Sequence, residues 1–323
     1  ATASQYADPQ STREGKVRVA AIQSAPVFLD AEATTDKAIE LMRHAATSGG
    51  AELCAFGETY LSGYPLWLSA TGGAKFNDPE QKAAYAAYVR GSIRADGPEL
   101  AAIAEAAQEL GLFTYMGFIE QATTGTSVYA SLAAIHPDDG ILSIHRKLRP
   151  TYEERLVWAQ GDGHGLQVHD WNGYRVGGLN CWENWMPLAR YSMYAQGEQL
   201  HVATWPASPG ITKDITRFIA REGRVYCLSV GSVLTAADIP TSFPLRDQLL
   251  ATGEQFLTGE SMIVAPDGET LVGPVKNTET IVYGDLDADL ILRERQNFDP
   301  AGHYSRPDVF RVMVNKARQE PIE

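Results

Sequence analysis

Short apolar runs alternate with amphipathic helical stretches along almost the whole chain. An apolar run of about four to eight residues between turn residues predicts a strand, and apolar residues three and four apart predict one face of a helix. In the first third of the chain this pattern predicts strands and helices in turn, at residues 17–23, 35–46, 51–56 and 96–110. Asp96 and Glu99 have the spacing of a capping box at the start of the last of these helices. The alternation predicts an α/β fold.

Paired strands become more frequent after residue 111. Strands are predicted at residues 112–119, 128–135, 140–148, 174–180, 199–206, 225–233, 261–273 (a hairpin) and 280–286, with helices after Pro187 and at 214–222. No low-complexity linker or block of charge divides the chain. We therefore expect one mixed α/β domain over residues 16–304, a flexible N-terminal arm over residues 1–15 and a C-terminal tail over residues 305–323.

The charge and the cysteine content restrict the class of protein. The 323 residues carry a formal net charge of −13, which argues against nucleic-acid or anionic-membrane binding because both need a basic face. No run of about 18 apolar residues suggests a membrane span, and the first residues lack the apolar region of a signal peptide. Cys54, Cys181 and Cys227 are widely spaced and do not suggest a disulfide framework. These features favour a cytoplasmic location.

Sequence motifs that bind metals or cofactors are missing. There is no HExxH or CxxC motif, and no pair among the seven histidines has the spacing of metal ligands. A P-loop and a GxGxxG motif after a strand are also missing. We therefore expect neither a metal nor a cofactor.

Cys181 lies between a glycine-rich apolar run and a tryptophan-rich stretch, in GGLNCWENWMPLARY. A single cysteine is usually a small buried hydrophobic residue, and Cys54 and Cys227 fit that interpretation because they lie inside apolar runs. On its residues alone Cys181 could be a buried thiol, a metal ligand or a nucleophile. Its place between a predicted strand and a helix start favours the thiolate, because backbone N–H groups point there.

Two charged residues follow predicted strands in the same way. Glu58 comes just after the run at 51–56, and Lys147 lies at the end of the run at 140–148. A buried carboxylate is unfavourable without a partner or a task, although Glu58 could also be a loop or helix-cap residue in a salt bridge. Lys147 could belong to an ordinary solvated loop. Since α/β sheets collect their functional groups at the carboxyl ends of strands, Glu58, Lys147 and Cys181 are candidates for one site.

These residues and their surroundings resemble the Glu-Lys-Cys triad of the carbon–nitrogen hydrolase (nitrilase) superfamily. HRKLRPTYEER and GGLNCWENWMPL are similar to motifs of its nitrilase branch, as are EQLHVATWP and GHYSRPDVF, and the likeness runs from about residue 17 to residue 310. Two positions depart from the pattern. Gly57 stands where the family often has proline, and Asn184 stands where many nitrilases have histidine.

The resemblance implies a four-layer αββα sandwich and the hydrolysis of an organic nitrile to its carboxylic acid and ammonia. It implies that Cys181 is the nucleophile and forms a thioimidate and then a thioester. Glu58 would be the general base. Lys147 would stabilise negative charge on the substrate, with the backbone N–H of Trp182 as a second donor.

Further residues near the motifs are candidates for the same site. Glu154 matches the second glutamate of the family and would keep Lys147 charged and oriented, with Glu153 as the alternative. Six aromatic residues could form the wall of a substrate pocket, although large aromatic residues also fill cores: Tyr64, Tyr152, Trp158, Trp182, Trp185 and Trp205. Such a wall would favour an aryl or arylaliphatic nitrile over cyanide.

Other functions stay open from the sequence. An amidase or carbamoylase would use the same triad, although the CWEN and PTYEER contexts favour a nitrilase, and a cyanide-degrading enzyme is also close. A non-catalytic homologue that binds a metabolite is a possibility of another class. The full set of Glu58, Lys147, Glu154 and Cys181 argues against it, because a binding protein does not need all four.

The resemblance also implies a homo-oligomer built from dimers. Five apolar residues come after the last predicted strand: Val309, Phe310, Val312, Met313 and Val314. An exposed apolar segment usually marks an interface. We expect residues 305–316 to cross to a neighbouring subunit, the alternative being that they fold back over their own.

Overall fold

The apolar runs of the sequence form two β-sheets. The computed structural model describes residues 16–207, 210 and 212–320 of the chain. The predicted flexible arm at residues 1–15 lies outside these described residues, as do the last three residues of the predicted tail. No helix in the described part of the chain is long and apolar enough to cross a membrane.

The first sheet brings together strands from both ends of the domain. Its strands are β1 (Val17–Gln23), β2 (Leu53–Phe56), β3 (Phe113–Gln121), β4 (Val128–His136), β5 (Gly140–Arg146) and β13 (Thr280–Leu286). They lie in the order β13-β1-β2-β3-β4-β5, with β1, β2 and β3 parallel and β4 antiparallel to both of its neighbours. β2 and β5 therefore run in the same direction and end at the same edge of the sheet.

The second sheet has a parallel centre and antiparallel flanks. Its strands are β6 (His169–Trp171), β7 (Tyr174–Asn180), β8 (Leu200–Trp205), β9 (Tyr226–Gly231), β10 (Val233–Thr235), β11 (Gln255–Val264) and β12 (Thr270–Lys276). They lie in the order β10-β11-β9-β8-β7-β6, and β12 pairs with β11. β7, β8 and β9 are parallel, so β7 and β8 end at the same edge.

Eight helices are found among the described residues. They are α1 (Ala31–Thr47), α2 (Trp67–Ala70), α3 (Pro79–Arg90), α4 (Pro98–Leu110), α5 (Pro187–Tyr194), α6 (Thr212–Gly223), α7 (Arg246–Leu250) and α8 (Ala288–Arg295). α1 and α4 pack on the outer face of the first sheet, and α6 packs on the outer face of the second.

Alternate residues of each central strand face opposite layers, because side chains in a strand point to opposite sides in turn. In β1, Ala20 and Ile22 pack against α1 and α4, whereas Val19 and Ala21 pack against the second sheet. Both faces are apolar, as a sheet covered on both sides requires. The layers are thus helix, sheet, sheet and helix, which confirms the αββα sandwich.

Most predicted elements are present, and two differences have clear causes. The capping box at Asp96 and Glu99 is wrong, because α4 begins at Pro98 with Gly97 at the N-cap, and the Asp96 carboxylate accepts from Arg94 Nε at 2.9 Å. Proline at the first helical position has no N–H that needs a cap. Helix α3 has no predicted counterpart, since its only buried side chains are those of Ala84 and Tyr88.

The described part of the tail, residues 305–320, contains neither helix nor strand. Its apolar stretch is exposed in the single chain, with Phe310 at 71% and Met313 at 93% of full exposure. The end of the stretch contacts its own subunit, since Arg318 pairs with Asp162 at 3.1 Å and the Lys316 carbonyl contacts the His164 ring. The segment is thus anchored at its end, and the side chains of Phe310 and Met313 are left largely uncovered.

Candidate active site

Lys147 contacts two carboxylates in the interior. It directly follows β5 and is 1% exposed. Its Nζ atom lies 2.9 Å from Glu58 Oε1 and 2.7 Å from Glu154 Oε2. Glu58 Oε2 is buried and accepts no hydrogen bond from any residue that the structure describes. One cation therefore faces two carboxylates, and Glu58 has an oxygen free to take a proton.

Cys181 directly follows β7 and begins a short 3₁₀ turn, Cys181–Trp185. Its backbone is left-handed, with φ of 50°, a conformation that is unfavourable for a residue with a side chain and is common at functional sites. The sulfur and one oxygen each of Glu58 and Glu154 lie within 4.8 Å of one another. Sulfur and carboxylate oxygen are donors that a metal ion could use, but here the Lys147 ammonium contacts both carboxylates.

Glu154 is held by three donors, in a 3₁₀ turn at Tyr152–Leu156. Its Oε2 accepts from Lys147 Nζ at 2.7 Å and from the Thr151 backbone N–H at 2.6 Å, and its Oε1 accepts from the Tyr64 hydroxyl at 2.9 Å. Glu153, the alternative from the sequence, is only half-buried. The structure therefore brings Glu154 to Lys147.

Burial dominates the proton affinities of this cluster. It raises the pKa of Glu58 to about 8, with Lys147 opposing the rise and Glu154 reinforcing it. Burial pulls the pKa of Lys147 down, but Glu58, Cys181 and Glu154 outweigh it, so this pKa stands above its ordinary value. Burial also raises the pKa of the Cys181 thiol well above its usual value, despite Lys147 and the Trp182 backbone N–H. The Trp182 backbone N–H thus favours the thiolate, in the direction that the sequence predicts, but burial outweighs it and the resting thiol needs a base.

The six candidate pocket aromatics occupy three kinds of position. Tyr64 and Trp158 touch the cluster: the Tyr64 hydroxyl binds Glu154, and the Trp158 ring centre lies 5.0 Å from Lys147 Nζ. Trp205 is buried in the apolar cluster that includes Cys181. The remaining three are exposed in the single chain: Tyr152, Trp182 and Trp185.

Gly57 is explained by close packing between the two sheets. A Cβ atom at this position would lie 2.5 Å from Ser232 Oγ and 3.0 Å from the Trp205 carbonyl oxygen. The next residue, Glu58, donates its backbone N–H to that same carbonyl oxygen at 3.0 Å. The missing side chain therefore lets the ends of β2 and β8 meet, which fixes the backbone that carries Glu58.

The carbon–nitrogen hydrolase family model matches residues 18–295. The chain belongs to the carbon–nitrogen hydrolase family. It is a hydrolase that acts on carbon–nitrogen bonds. The hydrolase is 39% identical over 310 residues to Nitrilase 2 of an unknown prokaryotic organism. The matched region covers 95% of this chain and 95% of that protein. It is also 39% identical over 315 residues to an aliphatic nitrilase of Sinorhizobium fredii strain HH103, over 95% of this chain and 98% of that protein.

A solved structure shares the fold at lower identity. A carbon–nitrogen hydrolase from Helicobacter pylori G27 superposes with a TM-score of 0.67 and 17% identity, over 91% of this chain and 96% of that one. At this identity the likeness shows the fold alone.

The structure adds buried polar residues that the sequence did not single out. Glu183 and His145 contact each other beside the cluster, with His145 Nε2 3.0 Å from each Glu183 carboxylate oxygen. Glu198 and His201 form a second buried pair, which reaches Asn184. An acidic residue two positions after Cys181, in a stretch that becomes buried, is the only local signal for Glu183.

Proposed function

We propose that this hydrolase is a nitrilase, which converts an organic nitrile and two water molecules into the carboxylic acid and ammonia. The two relatives named above are nitrilases and match nearly the whole chain. The observation that carries the proposal is the buried cluster of Cys181, Glu58, Glu154 and Lys147, in which the sulfur and carboxylate oxygens lie within 4.8 Å of one another. Such a cluster offers a nucleophile, a base and a cation to one carbon atom.

The proposed reaction has two covalent stages. Cys181 Sγ attacks the nitrile carbon while Glu58 takes the thiol proton and passes it to the nitrile nitrogen, which gives a thioimidate. Water then adds, ammonia leaves and a thioester remains. A second water, activated by Glu58, attacks the thioester, and the acid leaves as the sulfur regains its proton.

Lys147 and its neighbours stabilise the charge that develops in these steps. The ammonium lies where it can bind the negative nitrogen of the first stage and the negative oxygen of the second, with the Trp182 backbone N–H as the other donor. Glu154 holds the lysine in place through its 2.7 Å contact. The buried position of the cluster excludes bulk water and strengthens these interactions.

We further propose that the nitrile carries an organic substituent. Tyr64 and Trp158 lie edge to face, with ring centres 5.6 Å apart, and both contact the charged cluster. Their rings lie next to the proposed reacting groups, and such aromatic neighbours suit an aryl or arylaliphatic substituent better than the small cyanide ion. An amidase with the same cluster is the alternative, and the relatives' names favour the nitrilase.

A substrate panel tests this proposal. The purified hydrolase is incubated with an arylacetonitrile, an aliphatic nitrile, cyanide and the amides that match both nitriles, and acid, amide and ammonia are measured. We expect acid and ammonia from at least one organic nitrile, faster than from its amide. Turnover of the amides alone would make the protein an amidase, and turnover of cyanide alone would remove the proposed substituent.

Three cysteine variants provide the matched controls for the panel. Cys181→Ala should abolish turnover in a folded protein. Cys54→Ala and Cys227→Ala should keep turnover and cost about 1–3 kcal/mol of stability, since each removes a buried sulfur. Hydrolysis by Cys181→Ala at near the wild-type rate would contradict the mechanism.

We also propose that the hydrolase works in the cytoplasm as a homo-oligomer built from dimers. The three cysteines are free thiols, which suits a reducing compartment. The exposed apolar side chains at residues 309–314 support a contact between subunits.

A further inference from the structure

Glu183 connects the backbones next to Lys147 and Cys181. Its carboxylate is 1% exposed and accepts hydrogen bonds from the backbone N–H of Leu148 and from that of Asn180, the latter at 2.8 Å. Leu148 directly follows Lys147, and Asn180 directly precedes Cys181. Lys147 and Leu148 lie at the end of β5 in the first sheet, whereas Asn180 and Cys181 lie at the end of β7 in the second sheet.

An ionised carboxylate satisfies this arrangement. The backbone N–H groups of Leu148 and Asn180 each donate to one oxygen of Glu183, and His145 Nε2 lies 3.0 Å from both oxygens. With a proton on Nε2 all three partners are donors, and the carboxylate is the acceptor for each. Burial alone would raise the pKa of Glu183, but His145 and the N–H groups of Leu148 and Asn180 outweigh it and hold this pKa below its ordinary value. The residue is thus held as an anion, with each oxygen fixed.

We propose that Glu183 is a positioning residue, which sets the distance between the Lys147 ammonium and the Cys181 thiol by fastening one sheet to the other. The proposal rests on the proposed function for its kinetic consequence, but the geometry it describes exists without substrate. Lys147 lowers the proton affinity of the thiol through its charge, and that effect weakens with distance. A displacement of about 1 Å in such a cluster can cost about 10² in rate.

The first test is Glu183→Gln, which keeps the size of the side chain and removes one acceptor. We expect kcat on the best nitrile to fall by about 10², with KM changed far less. The second measurement is the rate at which iodoacetamide alkylates Cys181 as a function of pH, read by mass spectrometry of the Cys181 peptide. Its midpoint should move to higher pH in the variant, because Lys147 supports the thiolate less.

A matched control separates positioning from stability. Asp285→Asn removes a carboxylate that binds Arg18 through two hydrogen bonds near the start of β1, away from the strand ends that carry the cluster. It should lower the melting temperature while leaving both kcat and the alkylation midpoint at wild-type values. If Glu183→Gln lowers the melting temperature but leaves kcat and the alkylation midpoint at their wild-type values, Glu183 is structural only and the proposal is wrong.

A second pair of variants keeps the test decisive if Glu183→Gln does not fold. His145→Gln keeps an N–H donor for Glu183 and should retain most activity, whereas His145→Leu removes the donor and should lower kcat by about tenfold. Equal rates in these two variants would overturn the proposal. Alkylation needs no nitrile turnover, so a hydrolase that turned over no nitrile in the substrate panel could still show the shifted midpoint.

Discussion

Among the residues that the structure describes, Lys147 is the one cation in contact with Glu58 and Glu154, so the buried cluster is negative whenever both carboxylates are ionised. A buried net charge is costly, and burial raises the pKa of Glu58 to about 8, which favours a proton on that carboxylate. Tyr64 and Thr151 hold Glu154 in place by donating to it. Glu58 is therefore suited to exchange a proton with the thiol, and Glu154 is suited to orient the lysine.

The first prediction at the residue scale concerns these partners. Lys147→Met keeps the stem without the charge, and kcat should fall by about 10² or more, as for the loss of an oxyanion donor. Glu154→Gln should also lower kcat sharply, because the lysine loses its orienting charge. Glu153→Gln is the matched control and should stay within about twofold of wild type. Steady-state rates that show the reverse order for Glu153 and Glu154 would contradict the assignment.

Asn184, one of the two positions that depart from the family pattern, supports the backbone of Cys181. Its Nδ2 donates to the Cys181 carbonyl oxygen at 2.8 Å and to that of Leu179 at 3.3 Å. Carbonyl oxygens can only accept, so the NH2 group of Asn184 faces them and its Oδ1 faces His201. His201 Nε2 lies 2.7 Å from this oxygen and therefore carries the proton of that hydrogen bond. His201 in turn contacts Glu198 at 2.9 Å through Nδ1.

This chain of contacts leads to the second prediction. Asn184→Asp would place a carboxylate against two carbonyl oxygens, so it should lower stability by about 1–3 kcal/mol and kcat by at least about tenfold. Asn184→His restores the residue type of the family pattern and can donate to one carbonyl, so its losses should be smaller. Thermal unfolding and steady-state kinetics of both variants provide the measurement. Wild-type values for Asn184→Asp would show that the amide does not support the cysteine.

At the scale of elements, Glu279 joins three segments that are distant in the sequence. It lies just before β13 and accepts from Ser24 Oγ at 2.9 Å, from the Ala25 backbone N–H at 2.8 Å and from Lys37 Nζ of α1 at 2.6 Å. Burial would raise the pKa of Glu279, but Lys37 and Ala25 outweigh it and the pKa lies below its ordinary 4.5. The carboxylate therefore contributes stability only while it is ionised.

The third prediction is a change in acid stability. A folded pKa below the unfolded value means that the contribution of Glu279 is present above about pH 4.5 and is lost as the pH falls through the folded value. Glu279→Gln should be about 1–2 kcal/mol less stable than wild type at pH 7, and this difference should shrink below pH 4.5. Denaturant unfolding at several pH values measures it. A difference independent of pH would assign the effect to packing.

At the scale of the whole molecule, the sandwich places the proposed reacting groups where its two sheets meet. Glu58 and Lys147 follow strands of the first sheet, and Cys181 follows a strand of the second. The contact between Glu58 N–H and the Trp205 carbonyl oxygen joins the two edges directly. The site therefore depends on how the two halves of the sandwich pack.

The fourth prediction concerns assembly. A chain stopped after Tyr304 lacks the exposed apolar segment and should form smaller particles by light scattering than the intact chain, which we expect to be an oligomer of dimers. Phe310→Glu should act in the same direction, because it places a charge on the proposed contact. Leu292→Glu on α8 is the matched control, since that side chain is also exposed, at 65%. A monomeric intact chain, or truncation that changes neither mass nor activity, would contradict the proposal.

Local patterns of the sequence predicted most of the elements and pointed to the candidate site residues. β1 and β13 have their predicted bounds, 17–23 and 280–286, because an apolar strand is encoded by neighbours in the sequence. Glu58, Lys147 and Cys181 were found because each lies at the end of such a run. The choice of Glu154 over Glu153 came from the motif rather than from periodicity, and the contact with Lys147 supports it.

The tertiary structure decided what depends on contacts between distant residues. The sequence contains no sign that β13 pairs with β1, that Glu183 reaches Leu148, or that the side chains of Tyr64 and Trp158 contact Glu154 and Lys147. The predicted capping box of α4 failed for a local reason, because the helix begins at Pro98 with Gly97 at the N-cap and the Asp96 carboxylate accepts from Arg94. Local propensity fixes what a segment forms, whereas strand order and the packing of the two sheets fix which side chains meet.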